Sequence, residues 1–434
     1  MDKMRVLVKS FGCSTNSADG EVLAGCLAEA GYKLVDTVEA ADIVIYNTCA
    51  VKGPTENRMM EVLKRVPPDK KLIVAGCLPL INFERLCKEV NFDGVLGPAA
   101  GEKIVDALMR VLNGEKVVAL QDAANAKPNL DLPRLRLNPV VGIVPINYGC
   151  LGSCAYCCVV FARGRLRSYG LPEILDRVER DVAMGIREFW ITSQDTACYG
   201  RDIETNLAEL LKALCEVEGE FRIRVGMMTP NLAKNILEDL IQTFQNEKIF
   251  NFIHLPVQSG DNQVLKRMRR FYSTDDFKEV VNAFRNSFSE VTVATDVICG
   301  FPGETEEAFE RTLRLIEDVK PDIVNVSKFF ARPRTAAAEM HEDFVSSPEI
   351  KRRSGLASKL ARKVANERNH RWIGWTGKIL ADEVGKVPGS WIGRNFAYKP
   401  VVLKKCGFGN IHGKTLHVRT VKAFATYLEG EIVE

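Results

Sequence analysis

The chain has 434 residues, of which 46% are hydrophobic and 26% charged, and its net charge is only +3. That excludes a disordered or fibrous chain, allows about three globular domains, and leaves any nucleic-acid binding to local basic patches rather than bulk charge. No apolar run reaches the roughly 18 residues of a membrane helix, the start Met-Asp-Lys-Met-Arg-Val lacks a signal-peptide core, and thirteen scattered cysteines argue for metal or redox chemistry rather than a disulfide framework.

Residues 1–120 read as alternating strand and helix, the pattern of a parallel sheet with covering helices. Strands are expected at Val6–Val8, Asp42–Tyr46, Leu72–Ala75 and Phe92–Leu96. Ser17 is expected to cap a helix running to Ala30, and Pro54 to open one ending near Val66. Cys13, Cys49 and Cys77 each fall just after one of the first three strands. In a parallel sheet those positions share the edge where ligands bind. Three thiolates there can hold a cluster with one open iron; three small buried turn residues fit the spacing equally well. Cys26 and Cys87 fall inside helices and read as core. Residues 121–139, with Pro128, Pro133 and Pro139 among polar residues, read as a linker.

The segment 140–371 opens with an apolar run, Val140–Ile146, followed by Cys150-Leu-Gly-Ser-Cys154-Ala-Tyr-Cys157. Thiolates are the usual ligands of iron–sulfur clusters, and three of them leave one iron of a cubane open to a small ligand. A structural zinc site normally needs a second Cys-x-x-Cys pair, which is missing here. Cys158 is adjacent to Cys157 and is expected to point elsewhere. Five more strands are expected, at Glu188–Thr192, Phe221–Met227, Phe250–Leu255, Val291–Ile298 and Asp322–Ser327, with helices such as Pro172–Met184 and Glu304–Asp318 between them. Six such repeats suggest an incomplete parallel barrel, whose site lies at the carboxyl ends of the strands. Ser193, Gln194, Asp195, Gln258 and Asp296 fall at those ends and are candidates for cofactor contact, although the same residue types are common in turns. Phe301-Pro-Gly-Glu-Thr305 reads as a turn before a helix, and Cys198, Cys215, Cys299 and Cys406 as structural.

Lys351–Arg371 is an amphipathic helix with a cationic face. Residues 372–434 change character: short strands at Thr376–Glu383, Val401–Lys405, Thr415–Val421 and Ala423–Leu428 suggest a small β-barrel. Its bases include Arg394, Lys399, Lys404, Lys405, Lys414, Arg419 and Lys422. Trp391, Phe396 and Tyr398 can stack on nucleobases or fill the barrel.

The Cys150–Cys157 spacing, with an aromatic before its last cysteine, resembles the radical S-adenosylmethionine enzymes. Phe11-Gly-Cys13 with Asn16, Asn47-Thr-Cys49 and Ala75-Gly-Cys77 resemble the amino-terminal cysteine sites of the methylthiotransferase family. Gly393-Arg394-Asn395 followed by an aromatic resembles the RNA-binding TRAM domain that ends these enzymes. The resemblance covers nearly the whole chain and implies an α/β architecture with an amino-terminal cluster domain, a partial (β/α)6 barrel and a TRAM-like barrel. It implies two [4Fe-4S] clusters, on Cys13, Cys49 and Cys77 and on Cys150, Cys154 and Cys157, with S-adenosylmethionine on the second. Tyr156 would pack near the adenine of that cofactor. Asn147–Arg165 and Thr192–Asp202 look closest to the archaeal and eukaryotic branch, which methylthiolates N6-threonylcarbamoyladenosine beside the tRNA anticodon. On that reading Arg163 and Arg165 would meet the substrate carboxylate or phosphates, and Arg394 and Lys399 the RNA. The partners implied are tRNA, an electron donor such as flavodoxin or ferredoxin, and a sulfur donor, with no membrane. A cytoplasmic location is expected because the apolar tail of eukaryotic relatives is missing. Cys158 and Cys198 depart from the family pattern. Competing readings are a methylthiotransferase for isopentenyladenosine or for a ribosomal-protein aspartate, and a non-catalytic iron–sulfur RNA sensor.

Overall fold

In the computed structural model, which describes residues 4–404 and 409–433, the first part of the chain forms a six-stranded parallel sheet. Its strands are β1 (Arg5–Ser10), β2 (Lys33–Leu34), β3 (Ile43–Thr48), β4 (Lys71–Gly76), β5 (Gly94–Leu96) and β6 (Val117–Ala119), in the order β2-β1-β3-β4-β5-β6. β3 is buried at every position, as a central strand covered on both faces must be. The two outermost strands, β2 and β6, have two and three residues, too few to leave an alternation in the sequence. The first helix, Ser14–Glu29, starts before the expected cap: Cys13 holds the N-cap position with extended backbone, and Ser17 lies in the first turn. Pro54 does sit in the first turn of the helix Gly53–Lys64.

Residues 121–139 are docked rather than free. Leu130 is buried in the central core, Arg136 forms an ion pair with Asp181, and Arg134 donates to the Ile143 carbonyl at 2.8 Å. Gly25 makes this docking possible, because a Cβ there would lie 2.2 Å from the Pro133 carbonyl oxygen.

The central region contains β7 (Val141–Pro145), a short antiparallel pair β8 (Asn147–Tyr148) and β9 (Arg167–Ser168), then β10 (Glu188–Thr192), β11 (Arg222–Val225), β12 (Phe252–His254), β13 (Thr292–Cys299) and β14 (Ile323–Lys328). Two parallel sheets, β7-β10-β11 and β12-β13-β14, are joined through parallel bridges at Ile223–Ile249 and Met227–His254. The result is an open six-stranded parallel barrel, with helices such as Leu171–Ala183 and Glu306–Val319 returning the chain between strands.

The helix Ser347–His370 leads to a closed antiparallel and parallel barrel of β15 (Thr376–Val384), β16 (Trp391–Arg394), β17 (Pro400–Leu403), β18 (Thr415–Ala423) and β19 (Leu428–Ile432). β16 was not expected, and the strand expected at Ala423–Leu428 is a turn, where Phe424 stacks on Tyr427 at 4.5 Å. Lys405 and Cys406 lie outside the described residues. This small barrel docks at the amino ends of the central strands. The Tyr398 hydroxyl donates to Glu188, the first residue of β10, at 3.0 Å, and Lys399 pairs with Asp322, just ahead of β14, at 2.8 Å. β13, eight residues long, separates that end from the carboxyl ends by about 26 Å. Among the described residues no helix is long and apolar enough to cross a membrane.

Candidate active site

The three amino-terminal cysteines follow β1, β3 and β4, adjacent parallel strands, so they emerge along one sheet edge. Asparagine side chains fix the loops. Asn16 Nδ2 donates to the Phe11 carbonyl at 2.6 Å and to the Asn47 carbonyl at 3.2 Å, and Asn47 Nδ2 returns a 2.6 Å bond to the Asn16 carbonyl. Thr48 Oγ1 donates to the Ala75 carbonyl at 2.6 Å. Gly12, at φ 113°, lets the first loop pass against Cys49, whose Cβ would be 2.6 Å from any Cβ at that position. Burial pushes the Cys49 thiol up and the Cys77 thiol up to about 12.

The second trio sits on the loop framed by β8 and β9, beyond the carboxyl end of β7. Gly152 donates its N–H to Cys150 Sγ at 3.2 Å, and a Cβ on Gly152 would touch Cys150 Sγ at 3.3 Å and Cys154 Sγ at 3.6 Å. Arg270 Nη1 donates to Cys154 Sγ at 3.0 Å. Burial raises the Cys150 thiol to about 11 and the Cys157 thiol further. Buried thiols of this kind ionise when a metal supplies the compensating charge. Cys158 turns away and is buried against Ala50 in the core of the amino-terminal sheet.

Both trios open into one cavity of about 970 Å³. The two sheets are held facing each other by Ser14 Oγ and Thr192 Oγ1 at 2.6 Å, Lys52 Nζ and Ser327 Oγ at 2.8 Å, and a buried Arg332–Glu56 ion pair. Among the described residues, no three His, Cys, Asp or Glu side chains gather tightly enough to hold a single metal ion. A lone tetrahedral ion would need sulfurs about 3.8 Å apart, given metal–sulfur bonds of about 2.3 Å; thiolates on different irons of a cubane stand farther apart. The donor chemistry fits clusters: each set is all thiol, each is backed by a glycine that leaves the sulfurs room, and the cavity wall carries orphaned polar atoms on Arg163, Gln194, Gln258 and Arg270.

A radical SAM superfamily model matches residues 144–316, and the model of the uncharacterized protein family UPF0004 matches residues 5–97. The chain is 40% identical over 432 residues to a probable threonylcarbamoyladenosine tRNA methylthiotransferase of Pyrococcus horikoshii, covering 99% of this chain and 100% of the relative. It is 41% identical to the corresponding Archaeoglobus fulgidus protein, covering 99% of each chain, and 35% identical to the threonylcarbamoyladenosine tRNA methylthiotransferase of Xenopus laevis, covering 99% of this chain and 77% of that one. The chain belongs to the threonylcarbamoyladenosine tRNA methylthiotransferase family. It is a radical SAM enzyme. In fold alone it is similar to the radical S-adenosylmethionine methyltransferase TsrM of Kitasatospora setae, with TM-score 0.58 and 14% identity over 77% of this chain and 74% of that one.

The other expected site residues of this methylthiotransferase divide into those at the cavity and those elsewhere. Tyr156, Ser193, Gln194, Asp195, Gln258 and Asp296 all line it. Ser193 and Asp195 also build the turn: Ser193 Oγ accepts from Asp195 N–H, and Asp195 Oδ1 accepts from Ala197 and Thr229 N–H, each at 3.1 Å. Gln194 and Gln258 keep a buried, unpaired Oε1, and Gln258 does so at φ 67°. Although burial of Asp296 opposes its charge, hydrogen bonds from His254 and Asn325 hold its carboxyl below the usual range. Tyr156 packs edge-on against Phe301.

The expected arginines and lysine divide in the same way, one at the cavity wall and the others paired inside the protein. Arg163 is 2% exposed and its Nη2 donates to Asp19 at 2.6 Å and Asn16 at 3.2 Å, so its charge is already matched inside the protein. Arg165 is exposed at the cavity wall, with no ion pair among the described residues. Arg394 is paired with Asp382 and Glu383, and Lys399 is buried between Asp322 and Asn369, both at the end of the barrel away from the cavity. Neither is free to meet phosphate. Of the expected stacking aromatics, Phe396 packs with Trp372 and Trp375 in the small barrel, and Tyr398 packs on Phe250 and Phe252. On the cationic helix, Arg352, Arg353, Arg368 and Arg371 are held by carboxylates, leaving Lys351, Lys359, Arg362 and Lys363 unpaired among the described residues. The residue that sequence reasoning missed is Arg270. Its signal is the Arg267, Arg269, Arg270 run after the β12 carboxyl end.

Proposed function

We propose that this enzyme converts N6-threonylcarbamoyladenosine beside the anticodon of tRNA to its 2-methylthio derivative. The observation that carries the reading is the meeting of two three-cysteine sets in one cavity, together with the near full-length similarity to relatives of that name. Cys150, Cys154 and Cys157 would hold one [4Fe-4S] cluster and Cys13, Cys49 and Cys77 a second, each with an open iron. When bound, the first cluster with S-adenosylmethionine supplies one-electron cleavage of the sulfonium and a deoxyadenosyl radical, chemistry that belongs to the cofactor.

The chain's own side chains then position and enclose. Tyr156, Gln194 and Gln258 offer an aromatic edge and two unpaired acceptors to a nucleoside cofactor. The interdomain contacts at Ser14, Lys52 and Glu56 hold the two sheets facing each other across the cavity. Overall the adenine C2–H bond is replaced by a carbon–sulfur bond. The hydrogen leaves in deoxyadenosine, with methionine as co-product, and a second S-adenosylmethionine gives the methyl group and leaves as S-adenosylhomocysteine. Sulfur enters at the sulfide level; the one electron that a low-potential carrier such as flavodoxin or ferredoxin lends to cleave the sulfonium is released again when the carbon–sulfur bond forms, so the carrier is not consumed overall.

Arg165, Arg201 and Arg269 at the cavity wall, and the unpaired Lys351, Lys359, Arg362 and Lys363, would contact tRNA phosphates. The test offers unmodified, isopentenylated and threonylcarbamoylated tRNA, with nucleosides read by mass spectrometry. Methylthiolation confined to the threonylcarbamoyl substrate is expected; preference for the isopentenyl substrate overturns the reading, as does the absence of any deoxyadenosine formation from S-adenosylmethionine.

A further inference from the structure

Arg270 lies 116 residues from Cys154 in sequence but places Nη1 3.0 Å from its sulfur. The guanidinium is locked from behind. Its Nε donates to the Tyr272 hydroxyl at 2.9 Å, and that hydroxyl donates onward to the Pro256 carbonyl at 2.8 Å. The backbone is fixed to the cysteine loop as well, since Ala155 N–H donates to the Met268 carbonyl at 2.9 Å and Arg269 adopts φ 55° to finish the turn. Among the described residues no carboxylate forms an ion pair with Arg270, Asp195 acting on it only across the cavity, and its Nη2 is buried without a partner. A half-buried cation with a buried, unused donor, pressed against a cysteine of the cofactor site, is costly to hold unless an anionic centre sits beside it.

We infer that Arg270 is a positioning residue that raises the reduction potential of the cluster on Cys150, Cys154 and Cys157, acting through Cys154 Sγ. A cluster gains one negative charge on reduction. A cation and an N–H donor at its thiolate therefore stabilise the reduced form more than the oxidised form. The inference rests on the proposed cluster at that trio. The same donor geometry orients Cys154 before the cluster is bound, as the lock from Tyr272 requires.

The experiment uses the full chain with Cys13, Cys49 and Cys77 replaced by alanine, so that one cluster is observed. Arg270→Gln and Arg270→Lys are reconstituted anaerobically, iron is counted, and the reduced fraction is followed by paramagnetic resonance during a redox titration. At fixed potential, Arg270→Gln is expected to lower the ratio of reduced to oxidised cluster at least tenfold, about 59 mV for one electron. Arg270→Lys, which keeps the charge but loses the planar fork, is expected to fall between. If both variants carry full iron and titrate with the parent, Arg270 only packs and the inference is overturned. If the parent itself binds no iron, the cluster reading fails first and takes the inference with it. Uncoupled deoxyadenosine formation should fall with the reduced fraction and recover when a stronger reductant is supplied.

Discussion

Each cysteine trio has an arginine beside it, Arg163 buried and Arg270 half-buried, and the two are treated oppositely. Arg163, on the amino-terminal side, has its charge matched by Asp19, which also accepts from the Tyr148 hydroxyl at 2.5 Å. Arg270, at the barrel trio, makes no ion pair among the described residues, feels Asp195 only across the cavity, and spends one donor on a cysteine sulfur. The difference is electrostatic. Around Cys13, Cys49 and Cys77 the protein presents a neutral pair that fastens two domains together. Around Cys150, Cys154 and Cys157 it presents a guanidinium that donates directly to a sulfur, with the Asp195 carboxylate acting on Cys150 from elsewhere in the cavity, surroundings in which the donor contact favours a centre that must accept an electron.

The largest effect expected from this contrast is on iron and radical chemistry. Replacing Cys150, Cys154 and Cys157 by alanine should halve the bound iron and abolish deoxyadenosine formation. Replacing Cys13, Cys49 and Cys77 should also halve the iron yet leave deoxyadenosine formation measurable while methylthiolation disappears. Equal loss of deoxyadenosine in both would erase the functional distinction between the trios.

Next in size is stability. Arg163→Met leaves Asp19 buried and unpaired, which should cost about 3–5 kcal/mol in denaturant unfolding. Adding Asp19→Asn should restore much of that loss, because the stranded charge is gone. No recovery in the double variant would mean that the arginine's packing, not its charge, joins the domains.

A subtler contrast lies in the glycines behind the sulfurs. Gly12→Ala puts a Cβ 2.6 Å from that of Cys49 at φ 113° and should cost about 1–3 kcal/mol with loss of iron from the amino-terminal trio. At Gly152 the added Cβ meets sulfurs at 3.3 and 3.6 Å, and the variant should retain most of its iron. Iron analysis in each single-trio background separates the two.

The smallest effect is a pH dependence confined to the amino-terminal side. Glu21 lies on the helix that starts beside Cys13, and burial raises its carboxyl from an ordinary 4.5 to about 7. Between those values the unfolded chain releases this proton before the folded one does. Stability from this group is therefore greatest below pH 4.5 and declines as pH rises toward 7. Glu21→Gln should flatten that part of the profile in pH-dependent unfolding; an unchanged slope would assign it to other groups.

The six thiols were legible because a parallel sheet sends the ends of neighbouring strands to one edge, and because Cys150–Cys157 is a local spacing. Arg270 was not, since nothing local tells that a residue after β12 will reach a sulfur beyond β7. Lys399 and Arg394 were misread for the complementary reason. A sequence displays their charge but hides Asp322 and Asp382, which meet it only after folding. The short edge strands β2 and β6 were missed because hydrogen bonding to a neighbour, rather than any pattern of their own, defines them.

The placement of the small barrel has a consequence for how a long ligand is gripped. It stands at the amino ends of the central strands, and the cavity opens at the carboxyl ends, about 26 Å away along β13. An RNA that touched both would lie along the flank of the protein, and the two contacts would act as a caliper. Each contact would then raise the effective concentration of the RNA at the other, and the combined affinity would depend on the span between them. A hairpin too short to bridge that span would be held at one end only.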